Sequence, residues 1–298
     1  AHGLSLPESE EMHLRWAEAV VGRPPAALPA EELRPLVDAG MPLRYRHAVW
    51  SRWIGDRGLR SVEEMHSQSL PDVARQIDLD IPRTRPAWLQ DDQAAVVRRV
   101  LNAYSVHNPA VGYCQGMNFL AMVFVLLGFS ESTALAGLSY IVEEIAPGYH
   151  GQGLEGYIRD AAVLEILVHH NLPAVRLRLE ALDVQIVVLA LDHFVSLMAG
   201  KWPLGAIVRL WDFLFSEGCC GVFASFLALL ELYFPMQGGP DCEALEAVDA
   251  FRSASMCGAD REMDKIIASA RRWLEVLPHS LVEKLRADLL ADDEPVTP

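Results

Sequence analysis

The feature that most restricts the fold of this chain is an apolar rhythm of helical period, broken almost only at Pro or Gly. Residues 88–107, WLQDDQAAVVRRVLNAYSVH, place Val96, Val97, Val100, Leu101 and Tyr104 on one stripe, with acids early in the segment. Residues 116–127 form a nearly continuous apolar run that Gly128 can stop. The pattern returns near 132–146, 157–170, 172–181, 184–199, 203–215, 219–234, 242–253, 259–276 and 280–290. Pro or Gly marks many of the joints, among them Pro147, Pro173, Gly200, Pro203, Gly218 and Pro278. Alternating strand patterns with two-residue hairpin turns are essentially missing. The expectation is an all-α protein of many medium helices. Several are apolar nearly all round and belong in a multilayer bundle.

With 298 residues, 51% of them hydrophobic, the chain can bury a large core, as one big domain or two ordinary ones. No fixed-period repeat is visible, which argues against a solenoid. The weakest join is QGGPD at 237–241, readable as a hinge between two helical halves or as a loop. Residues 291–298 read as an acidic tail.

A net charge of −15 argues against general nucleic-acid binding and against a polybasic membrane surface. The acidity is uneven: 34–99 carries 11 Arg against 9 Asp and Glu. The five cysteines are scattered and form no CxxC pair, which suggests a reducing compartment rather than a disulfide framework. Apolar runs such as 119–127 are too short to span a bilayer, so no direct membrane insertion is expected.

Phosphate-loop, dinucleotide, zinc-protease and nucleophile-elbow signatures are absent. His169, His170 and His193 lie in apolar helices without a partner at metal spacing, so no metal site is expected. Three segments stand out instead. In 77–86, IDLDIPRTRP, Pro82 and Pro86 restrict the residues before them and predict a stiff, extended connector that carries Arg83 and Arg85. In 111–121, VGYCQGMNFLA, Gly112 and Gly116 flank Tyr113, Cys114 and Gln115 before a buried helix. A polar Gln between two glycines can project outward. Cys114 as a nucleophile with His107 as base is the chemical rival; apolar neighbours favour a buried, inert thiol. In 40–55, Arg46, Trp50 and Ile54 share one helix face. An arginine on that stripe needs a carboxylate, for which Asp80 is a candidate.

Taken in chain order, the three segments resemble the TBC (Tre-2/Bub2/Cdc16) domain, the GTPase-activating family for Rab GTPases. RxxxW matches Arg46 and Trp50. IxxDxxR matches Ile77, Asp80 and Arg83, followed by Thr84 and Pro86. YxQ matches Tyr113 and Gln115, extended by Gly116, Met117 and Asn118. RLWDFLFSEG at 209–218 is similar to a later family segment, at Arg209, Trp211 and Asp212. The chain departs at His193-Phe194, where many relatives carry Trp-Phe, and at Arg85, where relatives are often aromatic.

The resemblance implies a V-shaped, all-α TBC domain over 34–290, after an N-terminal lead-in helix and linker at 1–33. Its catalytic half is expected at about 34–170 and a C-terminal helical half at about 171–290. It implies Arg83 and Gln115 as catalytic fingers acting in trans on a GTP-bound Rab. Asp80 is expected to brace the Arg83 loop or pair with Arg46, and Tyr113 to brace Gln115. Trp50, Trp211 and Asp212 are expected to be structural, and Arg85 to contact the partner or be solvated. The chain would need no cofactor of its own, because GTP and Mg²⁺ belong to the Rab. A cytoplasmic place, peripheral to endomembranes through the Rab, follows, with a role in vesicle trafficking. A catalytically silent Rab-binding scaffold is the alternative.

Overall fold

In the structure, a computed structural model, residues 8–234 and 242–292 are described. They contain sixteen α-helices and no strand. The expected join at 237–241 lies outside the described residues, as does 293–298 of the expected tail.

The first helices are α1 (Glu10–Ala19), α2 (Ala30–Ala39), α3 (Leu43–Ile54), α4 (Val62–His66) and α5 (Pro71–Asp80). Then follow α6 (Asp91–His107), α7 (Met117–Leu126), α8 (Glu131–Tyr140), α9 (Glu155–Asn171), α10 (Pro173–Leu182) and α11 (Ile186–Val195). The last are α12 (Leu204–Glu217), α13 (Cys219–Tyr233), α14 (Ala244–Arg261), α15 (Met263–Val276) and α16 (His279–Asp292). Local chemistry explains many starts. Ser9, Ser61 and Ser130 accept backbone N–H groups at the entries of α1, α4 and α8. Gln90 and Gln93 form a reciprocal capping box at α6. Gly218, at φ 64°, turns the chain between α12 and α13.

Two helices differ from the expected spans. The segment near 242–253 extends to Arg261 as α14, with Gly258 inside it. That glycine is a packing site, because a Cβ there would lie 2.1 Å from the Tyr233 hydroxyl. The 132–146 segment is α8 followed by a π-helical turn, Ile141–Ile145. The turn presents Glu143 as an acceptor for Tyr104, Asn108, Ser139 and Arg57. Burial opposes the Glu143 charge. Bonds from Ser139, Arg57 and Asn108, with His107 nearby, outweigh it and hold the carboxyl below its ordinary value.

One core runs from Trp50 to Val282, and a second, smaller cluster gathers around Trp16, Leu33 and Val37. At the centre, Trp50 packs edge-on against Phe215 at 4.8 Å and stacks on Phe129 at 5.7 Å. Next to it sits a buried ion pair. Arg46 donates to Asp212 through Nε (3.1 Å) and Nη2 (2.8 Å), and Trp50 Nε1 donates to the same carboxylate at 2.8 Å. Asp80 as the partner of Arg46 is therefore corrected: Asp212, 166 residues away, fills that place. No helix among the described residues is long and apolar enough to cross a membrane.

Candidate functional site

The stretch 77–86 is not an extended connector. Residues 77–80 finish α5, and Ile81–Arg83 make a 3₁₀ turn, with Ile81 in the right-handed helical region at φ −54° and ψ −48°. Pro82 fits because it lies in the first turn, where no N–H is needed. Thr84 closes the turn. Its N–H donates to the Ile81 carbonyl at 3.0 Å and its hydroxyl to the Asp80 carbonyl at 2.8 Å.

The second loop enters α7 through Gly116, whose φ of 113° is a conformation that side chains rarely adopt. A Cβ there would also meet Val195 Cγ1 at 3.2 Å. Asn118, on the first turn of α7, accepts the Gly116 N–H at 3.0 Å and donates to Thr84 Oγ1 at 2.8 Å. Tyr113 donates its hydroxyl to Asp80 Oδ2 at 2.8 Å. Two hydrogen bonds between buried side chains thus tie 80–84 to 113–118. Tyr113 meets Asp80 and not Gln115. Burial, then the bond to Asp80 and its charge, push the Tyr113 phenol well above its ordinary value, so it stays a donor.

Arg83 and Gln115 are exposed, one on each tied loop. Among the described residues, no ion pair or side-chain hydrogen bond holds either of them. Arg85 behaves differently: it is half-buried and engaged within the chain. Its guanidinium lies 3.9 Å from the Trp88 ring centre and donates through Nη2 to the Trp202 carbonyl. Its backbone takes φ 46°, in the left-handed region. Arg85 is thus an internal strut between the loop that carries Arg83 and the turn before α12.

Sequence reasoning assigned no role to Thr84 and Asn118. The available signals were a threonine between two prolines and an amide at the head of an otherwise apolar helix. Cys114 is half-buried, and burial followed by the Asp80 charge raises its thiol. His107 pairs with Glu143 at 3.3 Å, so it does not serve Cys114. Among the described residues, no group of three or more His, Cys, Asp or Glu is placed to hold a metal ion. His193 is buried, and its Nε2 meets Ser225 Oγ at 2.9 Å.

Residues 43–235 match the model of the Rab-GTPase-TBC domain. The chain belongs to this family. Its TBC domain is similar to the Chlamydomonas flagellar RabGAP TBC domain, at a TM-score of 0.74 and 27% identity, over 88% of this chain and 91% of that one. The Ypt/Rab-GAP domain of Gyp1p has the same fold, at a TM-score of 0.69 and 18% identity, over 89% of this chain and 99% of that one. A TBC domain-containing protein of Schizosaccharomyces pombe is 30% identical over 270 residues, 86% of this chain but 34% of the relative. Growth hormone-regulated TBC protein 6 of Caenorhabditis elegans is 36% identical over 201 residues, 66% of this chain and 60% of the relative. The chain thus spans about one third of the first of these relatives and 60% of the second. Human growth hormone-regulated TBC protein 1 is 28% identical over 296 residues, 93% of this chain and 87% of the relative.

Proposed function

We propose that this TBC domain accelerates GTP hydrolysis by a Rab-family GTPase, supplying Arg83 and Gln115 in trans. The observation that carries the reading is the pair of exposed, unengaged side chains on two loops tied through buried Asp80–Tyr113 and Thr84–Asn118 bonds. Phosphoryl transfer needs little covalent help, and positioning and charge stabilisation dominate it. Arg83 keeps its charge and forks onto phosphate oxygens. Gln115 both donates and accepts, which suits orienting the attacking water. Loops already ordered by buried bonds lose little freedom when the fingers insert. GTP and Mg²⁺ come with the Rab, and the chain reaches membranes through that partner.

Single-turnover GTP hydrolysis across a panel of Rab proteins tests the reading. At least one Rab should be accelerated. Arg83→Ala should cost about 10³–10⁵ in rate, roughly 4–7 kcal/mol. Gln115→Ala should cost orders of magnitude, with the fold intact. Tight binding of a Rab without acceleration would replace the activator by a scaffold.

A further inference from the structure

A cavity of about 270 Å³ lies between α11, α13 and α14, beneath the turn that carries Trp202. Leu189, Met198, Phe226, Leu229 and Phe251 give it apolar walls. Eight buried side-chain nitrogens or oxygens lack a hydrogen-bond partner among the described residues. Four of them belong to residues lining this one space, and since Arg252 Nε faces the Asp192 carboxylate at 3.7 Å, three are left without any partner: His193 Nδ1, Trp202 Nε1 and Ser255 Oγ. His193, Trp202 and Ser255 are 1%, 0% and 2% exposed. Unpaired buried polar atoms are costly and rare, so three on residues around one cavity outline a recognition site.

The protons can be assigned. Ser225 gives its hydroxyl proton to the Gly221 carbonyl at 2.7 Å, so it accepts from His193 Nε2. The Val222 carbonyl, at 3.2 Å from the same nitrogen, can only accept. Nε2 therefore carries the ring proton and Nδ1 is a bare acceptor. Burial lowers the pKa of His193 to about 3, against the weaker pull of the Val222 carbonyl, which keeps the ring neutral. Trp202 Nε1 and Arg252 Nε can only donate, and Ser255 can do either. The charges at the rim balance. Asp192 lies 4.0 Å from Lys201 and 3.7 Å from Arg252, and Asp249 lies 3.8 Å from Arg252.

We propose that this cavity binds a small, planar, uncharged nitrogen heterocycle with one N–H donor and one acceptor. Its N–H meets His193 Nδ1, and its acceptor meets Trp202 Nε1. The apolar walls take the ring faces, the balanced rim makes no demand for net charge, and the volume limits the ligand to one or two fused rings. His193 stands where the family resemblance expects Trp, and the smaller ring leaves this space open. Neither Arg83 nor Gln115 lines the cavity, so this assignment is independent of the Rab-directed reading.

The test is an NMR titration of the ¹⁵N-labelled chain with 7-azaindole, adenine, benzimidazole and isoquinolone. The reporter is the Trp202 indole N–H, assigned through its loss in Trp202→Phe. At least one heterocycle should shift that resonance saturably, with a dissociation constant of about 1 mM or tighter. Indole, which lacks the acceptor, should bind about tenfold more weakly. His193→Trp should abolish the shift by filling the cavity. If that variant fails to fold, His193→Phe, which removes the Nδ1 acceptor at similar size, should weaken binding several-fold instead. No saturable shift from any of the four up to about 10 mM means that the cavity takes water only, and overturns the proposal.

Discussion

Replacing Tyr113 by Phe tests whether the tie between the two loops positions the fingers. The ring and its packing stay, and only the 2.8 Å bond to Asp80 goes. Both residues are nearly buried, at 8% and 9% exposure, so water makes little compensation. A hydrogen bond to a charged group contributes about 1.5–3 kcal/mol, and ~2 kcal/mol serves as the working value. For a chain of this size that corresponds to a fall in Tm of roughly 3 °C. If the whole loss also reached the transition state, the hydrolysis rate would drop about 30-fold. That is far short of the ~10³–10⁵ expected from Arg83→Ala. Thermal denaturation and single-turnover GTP hydrolysis read the two effects on the same sample. A rate loss as large as that of Arg83→Ala would place Tyr113 in the chemistry itself. No change in either Tm or rate would show that the tie is idle.

Three further outcomes follow from ionisable groups held inside the fold. Asp212→Leu strands the Arg46 guanidinium and the Trp50 indole N–H and should cost about 3–5 kcal/mol in denaturant unfolding; Arg46→Met with Asp212→Leu should recover most of it. A double variant no more stable than the single one refutes that account. Burial lowers the pKa of His150 to about 4 and of His193 to about 3, so both are neutral when folded, while the unfolded chain takes up protons below about pH 6.5. Stability should therefore be full above pH 6.5 and fall as pH drops, with a slope approaching ~2.7 kcal/mol per unit near pH 5; His193→Gln should halve that slope in urea titrations. An unchanged slope would remove His193 from the balance. Arg85→Ala should slow hydrolysis less than Arg83→Ala, and Arg85→Lys should not restore it, because an ammonium cannot both stack on Trp88 and fork to the Trp202 carbonyl; equal rates for Arg83→Ala and Arg85→Ala would overturn the division of roles.

The helices were legible because period and punctuation agree along most of the chain. The stretch 77–86 was misread because the proline rules were applied residue by residue. A 3₁₀ turn closed by Thr84 accommodates Pro82, and that closure depends on Asn118, some thirty residues further on. The need of Arg46 for a carboxylate could be read from its helix face, but nothing local points across 166 residues to Asp212. Both loops stood out by their own residues, but the choice of Arg83 over Arg85 and the pairing of Arg83 with Gln115 came only through the family resemblance. Exposure on tied loops is a property of the fold that no spacing reveals, and the same holds for Arg85, whose strut needs Trp88 and Trp202 from separate segments.

The Arg46–Asp212 pair also has a consequence for biosynthesis. Arg46 and Trp50 leave the ribosome long before their acceptor does. At about 5–20 residues per second, the 166-residue gap is a wait of roughly 8–33 s. Throughout it, the first half of the chain holds a cation and an indole N–H shaped for burial with nothing to receive them. A nascent chain halted before residue 212 cannot close its own centre, so completion of the core is timed by the arrival of α12 rather than by the helices that surround the Arg83 and Gln115 loops.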